Sequence, residues 1–271
     1  MEVNGYRIEP DADLTGADLT KANLTIAFLN GANLTGASLE DAKLEGAFLR
    51  HANLTGASLA NASLARATLF GANLTGAFLA RATLFGANLQ RANLGGADLR
   101  RATLLGAFAA YASLFNANLT GAAMTGVSLF NANLTNANLT GADLTKANLE
   151  GADLTNANLT NANLTHVDLT HVDLTKAYLF GANLFCADLT GVNLTGVNLT
   201  GASLYGAFLN RANLKEVKLS GADLTDADLS GANLDGADLS GADLTDANLE
   251  GTDLSSANLS SATMPDGSRH D

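Results

Sequence analysis

Histidine and cysteine are the residues of this chain best suited to metal-binding, acid–base or nucleophilic chemistry, and they are few. The sequence contains four His and one Cys, Cys186. His51 and His171 stand at equivalent positions of the repeat described below, but 120 residues apart, whereas His166 stands at a different position. At the spacing of stacked strands, the first two would be roughly 29 Å apart. A protein metal site needs three or four ligands close together, so the sequence predicts no histidine metal cluster.

Motifs of nucleophilic and phosphate chemistry are missing as well. The sequence has no G-x-S-x-G elbow, no phosphate-binding loop and no dinucleotide fingerprint. Cys186 has no His on its side in the next coil. We therefore expect a protein that is not an enzyme, with no catalytic residue, no metal and no cofactor. Aromatic and acidic side chains remain as candidates for function, and a repeat positions them.

A five-residue unit organises nearly the whole sequence. From Leu14 to Met264, the centre of a unit falls at every fifth residue over 51 units, without an insertion or deletion. Ala stands two positions before nearly every centre, and the other positions are mostly Asn, Asp, Ser, Thr or Gly. A period of five matches neither a helix nor a long strand. In a short extended segment, Ala and Leu would point inward, the residues beside Leu would point outward, and a turn must follow.

The motif A-(D/N)-L-x-x over residues 12–266 resembles the pentapeptide-repeat family, and it covers about 94% of the chain. The resemblance implies an all-β fold, a right-handed quadrilateral parallel β-helix with one repeat per side and about thirteen coils. The tail ATMPDGSRHD is similar to tails of bacterial members, cyanobacterial ones in particular. Residues 1–11 lie outside the repeat and are expected to cap the first coil, and residues 267–271 form a C-terminal tail.

Aromatic residues form the first candidate surface. No Phe occupies a centre, so all eleven are expected to point outward. Six of them share one side of the predicted helix, with a Tyr at its corner: Phe28, Phe48, Phe70, Phe108, Tyr111, Phe130 and Phe208. Exposed apolar patches often mark interfaces. The alternative is that these large side chains only cover the backbone of a coil built from small residues.

Acidic residues near the C-terminal end form the second candidate surface. Residues 46–142 carry a net charge of +5, whereas residues 219–271 carry −10. Two ladders of aspartates are expected there, one on a side and one at its corner: Asp223, Asp226, Asp243, Asp246 and Asp266. Such ladders could bind cations or a basic partner, and they would equally serve as a solvated face.

These surfaces favour a non-catalytic structural or protein-interaction module whose partner the sequence does not identify. The alternative is a mimic of DNA that binds DNA gyrase, because quinolone-resistance proteins of the resembled family are acidic rods of that kind. Duplex DNA carries one charge per ~1.7 Å, which gives about 35 charges over a rod of roughly 60 Å, and this chain has a net charge of only −12. A third hypothesis uses an outward ladder of threonines, beginning at Thr15 and Thr35, to order water or ice.

Composition also limits the partners and the location. The net charge of −12 argues against direct binding to nucleic acid. The longest apolar runs fall far short of the ~20 residues that cross a bilayer, and the N-terminus resembles no signal peptide. We expect a cytoplasmic protein, which a single cysteine also fits. The candidate modes of self-association are contact through the Phe-bearing side and pairing of the rod ends, where a backbone edge near Met264 is expected to be open.

Overall fold

The computed structural model describes residues 1–271 and divides into two compact units, unit 1 at Met1–Asn138 and unit 2 at Leu139–Asp271. Two short strands, β1 (Glu2–Val3) and β2 (Tyr6–Arg7), pair antiparallel as an N-terminal hairpin. From Asp13 onward, single residues form parallel bridges to residues twenty positions later, as in Asp13↔Asn33. Each unit is a right-handed quadrilateral parallel β-helix, so the predicted fold class is confirmed, while the total of thirteen coils stays a prediction.

One turn per repeat explains why the sequence folds into flat sides. In the repeat at Leu34, Ala37 N–H donates to the carbonyl of Leu34 at 3.0 Å, and Gly36 between them has φ 64°. This geometry is a type II turn, which requires a positive φ at its third residue. The same corner in other repeats holds Asn, Asp, Lys or Arg in the left-handed region, as at Asn61 and Arg66.

Backbone hydrogen bonds connect each coil to both of its neighbours. Leu34 N–H donates to the carbonyl of Asn53 in the following coil at 2.6 Å, and Asn33 N–H donates to the carbonyl of Ala12 in the preceding coil at 2.9 Å. The outward Asn33 side chain accepts a bond from Thr35 N–H at 3.2 Å, which stabilises the turn. Polar residues beside the centre therefore have a structural role in every unit that repeats this pattern.

The core contains only apolar residues, because the Leu centres and the Ala residues two positions earlier all point inward. Leu34 and Ala32 are both 0% exposed, and no polar or charged residue is buried. Two exceptions to the Leu pattern, Ala109 and Met124, are buried as well. The eleven Phe are half-buried or exposed, as expected for residues beside a centre.

The N-terminal hairpin contacts the first coil through polar side chains. Asn4 Nδ2 donates to the carbonyl of Asp18 at 3.2 Å, and Tyr6 Oη accepts a bond from Asp18 N–H at 3.4 Å. Ile8 is 3% exposed, and its N–H donates to the carbonyl of Met1 at 2.7 Å. These contacts hold residues 1–8 against the end of unit 1.

The C-terminal tail folds back on the last coil, which corrects the expectation of an open edge near Met264. Met264 N–H donates to the carbonyl of Ser268 at 2.7 Å, and His270 N–H donates to the carbonyl of Ala262 at 2.8 Å. Thr263 and Arg269 form an antiparallel bridge. The backbone at 262–264 is thus already paired within the chain, because Gly267 at φ 78° reverses its direction.

The ladder of unit 2 is interrupted around His171. This corner residue is not in the left-handed region, unlike Arg211 two coils later. Gly151 N–H donates to the carbonyl of His171 itself at 3.1 Å, a shift of one residue from the regular pattern. Val replaces the inward Ala at 167 and 172, and again at 192 and 197 in the next coil. Val172 and Val192 therefore share one column, at an inward position that holds Ala in most repeats. A larger side chain is crowded there.

Candidate protein-interaction surfaces

The phenylalanines predicted to share one side form separate groups. Phe28 and Phe48 occupy equivalent places in successive coils and stack face to face, with ring centroids 4.9 Å apart and planes 2° apart. Two polar residues follow them in the same column before Phe108, which is 51% exposed. Phe208 belongs to unit 2. Of these four phenylalanines, only Phe28 and Phe48 lie in successive coils of one column and contact each other.

A second group in unit 1 combines aromatic rings with arginines, and we call it the aromatic–arginine cluster. The Arg91 guanidinium lies 6.0 Å from the Phe70 ring centroid and 5.9 Å from that of Tyr111. The Tyr111 and Phe130 rings meet edge to face at 5.6 Å. The Arg50 guanidinium also contacts Phe70 and lies 5.3 Å from its ring centroid. The members of the cluster are Arg50, His51, Phe70, Arg91, Tyr111 and Phe130.

The register of the β-helix builds this cluster. Arg50 precedes Phe70 by twenty residues, and Arg91 precedes Tyr111 by twenty, so each guanidinium lies over a ring of the next coil. His51 meets the edge of Phe70, with ring centroids 5.6 Å apart. Its ring lies over Gly71, where a Cβ atom would come within 2.6 Å of His51 Nδ1. A glycine at this corner therefore leaves the space that the imidazole occupies.

The acidic surface of unit 2 contains the ladders expected from the sequence, with one exception. Asp223 and Asp243 form a parallel bridge in successive coils. Asp226 and Asp246 stand at left-handed corners with φ 58° and 57°, and both are exposed. Asp266 is exposed, but the left-handed conformation has moved from its position to the following glycine. Asp266 therefore does not continue the ladder of Asp226 and Asp246, which both have the left-handed backbone conformation.

Hydrogen bonds lower the pKa of two of these carboxyl groups, Asp243 and Asp266. The hydroxyl of Thr245 donates to Asp243 Oδ1 at 2.6 Å, and this bond, with that of Thr245 N–H, lowers the pKa of Asp243. The carboxylate of Asp226 accepts a bond from Tyr205, which raises the pKa of that phenol.

Unit 1 also contains a cleft rich in arginine, with a volume of about 390 Å³. Arg100 is held by Asp98 through two bonds, Nε to Oδ1 at 2.8 Å and Nη2 to Oδ2 at 2.6 Å. The bond from Arg100 lowers the pKa of Asp98. No carboxylate forms an ion pair with the other two arginines in the structure. The residues that line the cleft are Ala80, Arg81, Arg100, Arg101 and Thr120.

Comparison with known families identifies the repeat. The family model for pentapeptide repeats matches nine overlapping segments, from 12–50 at the N-terminal end to 222–260 at the C-terminal end. The chain belongs to the pentapeptide-repeat family. This finding confirms the resemblance predicted from the A-(D/N)-L-x-x motif.

Solved structures of other pentapeptide-repeat proteins are similar to the chain. HetL, a pentapeptide-repeat protein involved in heterocyst differentiation regulation from the cyanobacterium Nostoc sp. strain PCC 7120, is 39% identical, with a TM-score of 0.56; the match covers 77% of this chain and 91% of HetL. QnrB1, a plasmid-mediated fluoroquinolone resistance protein, is 18% identical, with a TM-score of 0.29 and coverage of 79% and 89%. Rfr23 from the cyanobacterium Cyanothece 51142 is 35% identical, with a TM-score of 0.20 and coverage of 39% and 58%. A comparison with proteins of curated function found no match.

Of the residues first considered for chemistry in this pentapeptide-repeat protein, His166 and Cys186 stand at left-handed corners twenty residues apart in unit 2, and His51 lies in unit 1. His51 contacts Phe70 in unit 1, and His166 contacts Phe185 in unit 2 at 5.5 Å between ring centroids. Cys186 is a half-buried free thiol. No group of three or more His, Cys, Asp or Glu is arranged to hold a metal ion. The structure also contains no helix of sufficient length and hydrophobicity to span a membrane.

Sequence reasoning selected three of the cluster's aromatic residues and missed its cations. Arg50, His51 and Arg91 are not among the predicted interface residues, because that surface is defined by aromatic residues alone. The signal that would have found them is the spacing of nineteen or twenty residues between each cation and the next ring. A search for Arg or His followed by an aromatic residue at that distance finds Arg50 and Phe70, and likewise Arg91 and Tyr111.

Proposed function

We propose that this protein is a non-catalytic protein-interaction module and that the aromatic–arginine cluster of unit 1 is its main contact surface. The observation that carries the proposal is the contact of Arg91 with two rings of different coils. The cluster therefore presents cationic and aromatic groups side by side on one exposed corner. Tyr and Arg are the residue types, with Trp, that dominate the binding energy of protein interfaces.

The energetics of the cluster support a binding role over a purely structural one. Each exposed cation–π contact stabilises the fold by only about 0.5–1 kcal/mol. Burial of the same rings under a partner would contribute more, about 1.5–3 kcal/mol for each side chain that becomes fully buried. Tyr111 is 53% exposed, so much of its surface is available for such burial. The guanidinium groups would add bidentate bonds to acidic groups of the partner.

The likeness to HetL supports the class of function. That protein is a pentapeptide-repeat protein involved in the regulation of differentiation, and a regulatory role is compatible with binding rather than catalysis. Our proposal also includes a cytoplasmic location. The unpaired thiol of Cys186 supports it, because free cysteines persist in reducing compartments.

The test compares partner capture by two variants that each lose three aromatic rings outside the core. The cluster variant carries Phe70→Ser, Tyr111→Ser and Phe130→Ser, and the control variant carries Phe78→Ser, Phe115→Ser and Tyr178→Ser. We expect the wild type and the control to retain the same protein from an extract of the cells that express it, and the cluster variant to lose it. Binding of the purified partner, measured by calorimetry, should weaken at least about tenfold in the cluster variant.

Two results would contradict the proposal. One is equal loss of the partner in both variants, which would assign binding to general surface hydrophobicity. The other is retention of the partner by the cluster variant together with its loss on Phe28→Ser and Phe48→Ser, which would assign binding to the stacked pair. Thermal unfolding of each variant checks that the fold is intact, since none of the replaced residues belongs to the core.

A further inference from the structure

Two arginines of unit 1 form a ladder of two positive charges at one corner of the β-helix. Arg81 and Arg101 are twenty residues apart and stand at left-handed corners with φ 60° and 57°. Arg81 N–H donates to the carbonyl of Arg100 in the next coil at 2.9 Å, so the two corners are successive rungs, ~4.8 Å apart at strand spacing. Asn61 precedes and Gly121 follows in the same column. The ladder therefore has two rungs.

These two charges have no partner within the chain. Neither Arg81 nor Arg101 takes part in an ion pair, whereas the neighbouring Arg100 is neutralised by Asp98 at 2.6 Å. Both free arginines are exposed, and the hydroxyl-bearing Thr120 completes the wall of the cleft between them. The cleft can thus bind an anionic group that presents two negative charges one coil spacing apart.

Unit 2 carries a ladder of opposite sign with the same geometry. Asp226 and Asp246 stand at exposed corners with φ 58° and 57°, and Asp226 N–H donates to the carbonyl of Thr245 in the next coil at 3.0 Å. Gly206 precedes them in the column, and the left-handed corner is lost at Asp266. This ladder also has two rungs at left-handed corners.

We propose that the Arg81–Arg101 ladder of one copy binds the Asp226–Asp246 ladder of a second copy of this chain. Both ladders have the twenty-residue coil of a quadrilateral β-helix, so their charges repeat at the same spacing and can pair in register. A guanidinium binds a carboxylate through two parallel hydrogen bonds, and complementary ladders select the register as well as the partner. The contact joins unit 1 of one copy to unit 2 of another.

The spacing and the charge of the chain favour a second copy over nucleic acid. Phosphates along one strand of duplex DNA repeat every ~3.4 Å of axis, which does not match rungs at ~4.8 Å. The net charge of −12 also repels a polyanion at long range. Exposed ion pairs are individually weak and are screened by salt. The assembly is therefore expected to be reversible and to depend strongly on ionic strength.

The experiment measures association by sedimentation velocity at about 20 mM and about 500 mM salt, between which screening becomes nearly complete. We expect the wild type to associate at low salt with a concentration-dependent sedimentation coefficient, and to be monomeric at high salt. Arg81→Glu with Arg101→Glu should abolish association, and so should Asp226→Lys with Asp246→Lys. An equimolar mixture of these two variants should associate again at low salt, because each supplies the ladder that the other has reversed.

A matched control carries Arg66→Glu with Arg211→Glu, which changes the net charge by the same amount as the first variant but leaves both ladders intact. This control should weaken association by less than about twofold, whereas the reversed ladder should weaken it by at least about tenfold. Circular dichroism and thermal unfolding verify that each variant is folded. The neutral variant Arg81→Gln with Arg101→Gln should also lose association. It removes the positive charges without adding negative charges that would repel Asp226 and Asp246.

Four outcomes would overturn the proposal. They are a wild type that is monomeric at low salt, a control that loses association as fully as the reversed ladder, a mixture of the reversed variants that stays monomeric, and association that persists in the Arg81→Gln, Arg101→Gln variant. A phosphate site would give a different result. Millimolar inorganic phosphate at constant ionic strength would then abolish association of the wild type, and the mixture of the two reversed variants would not associate.

Discussion

Leu79 and Phe78 are neighbours in the chain, but the repeat gives them opposite environments. Leu79 is a centre and is fully buried, whereas Phe78, beside it, is 53% exposed. Hydrophobicity alone would place both residues inside, since Phe is the larger side chain. The short extended segment decides otherwise, because adjacent residues in it point to opposite faces. The position of a residue in the repeat therefore determines its burial more than its type does.

The pair supplies a direct test at the scale of single residues. Leu79→Asp should destabilise the protein by about 4 kcal/mol or more, because it places an unpaired charge among the Leu columns. Phe78→Asp should change the free energy of unfolding by less than about 0.5 kcal/mol, as is usual for surface positions. Chemical denaturation of the two variants measures both values. Similar losses of stability in the two variants would show that the inward and outward faces are assigned incorrectly.

At the scale of the structural element, the ladder of unit 2 is interrupted beside the column of Val172 and Val192. A stacked pair of valines alone does not break the ladder, since Val197 and Val217 also share a column and Lys218 N–H still donates to the carbonyl of Val197 at 3.0 Å. Around His171, by contrast, the regular bonds from Leu149 to Asp168 and from Leu174 to Asn193 are not formed. The interrupted column differs because each of its valines has another valine at the adjacent corner of its coil, Val167 and Val197. We attribute the interruption to crowding among these four β-branched side chains. A cleft of about 360 Å³ lies beside the first of these missing bonds.

We predict that Val172→Ala with Val192→Ala restores these bonds. Removal of the valine methyl groups costs about 1.6 kcal/mol per residue, and each regained hydrogen bond returns about 1 kcal/mol. The two effects partly cancel and leave a loss of roughly 1 kcal/mol in global stability, so the measurement is amide hydrogen exchange. Protection of the amides of Leu149 and Leu174 should rise, while Val217→Ala should leave them unchanged. Unaltered protection in the double variant would show that crowding is not the cause of the interruption.

The same elements show how far the sequence could predict the structure. The centres from Leu14 onward and the outward aromatic residues follow from the period alone, because each coil repeats one pattern of inward and outward positions. The hairpin at residues 2–7 and the returning tail at 268–270 could not be predicted from it, since they depend on single contacts outside the repeat. The shift at His171 could not be predicted from the spacing of valines, since Val197 and Val217 have the same spacing as Val172 and Val192 and leave the ladder intact. The contact of Arg91 with two rings depends on the conformations of long side chains.

At the scale of the whole molecule, charge is distributed unevenly along the chain. Residues 46–142 carry a net charge of +5, and residues 219–271 carry −10. Such a distribution favours association of unlike segments of different copies, as proposed for the two ladders, and it steers any charged partner toward one segment. Because these contacts lie at the surface, physiological salt should weaken them considerably.

This distribution also bears on the alternative function, a DNA mimic that binds gyrase. Duplex DNA carries one negative charge per ~1.7 Å, which corresponds to about three charges for each coil of ~4.8 Å. The acidic segment 219–271 reaches this density, but at twenty residues per coil it fills fewer than three coils. A mimic would need the same density over residues 46–142 as well, where this chain is positively charged. The aspartates at 223 and 243 therefore stand in a patch too short to replace a bound duplex.

We accordingly predict that the purified protein at micromolar concentration leaves DNA supercoiling by gyrase, and its inhibition by quinolones, unchanged. A short DNA duplex added at the same concentration serves as the positive control, since it competes directly for the DNA-binding surface of the enzyme. Asp223→Asn with Asp243→Asn removes two charges of the acidic patch while the amide oxygens still accept the bonds that hold the turns. If the wild type inhibited supercoiling and this variant did not, the acidic surface would be a mimic of DNA in spite of its short length. Equal and full activity of gyrase with both proteins is the expected result, because the positive segment of the same chain would repel the cationic surface that binds DNA.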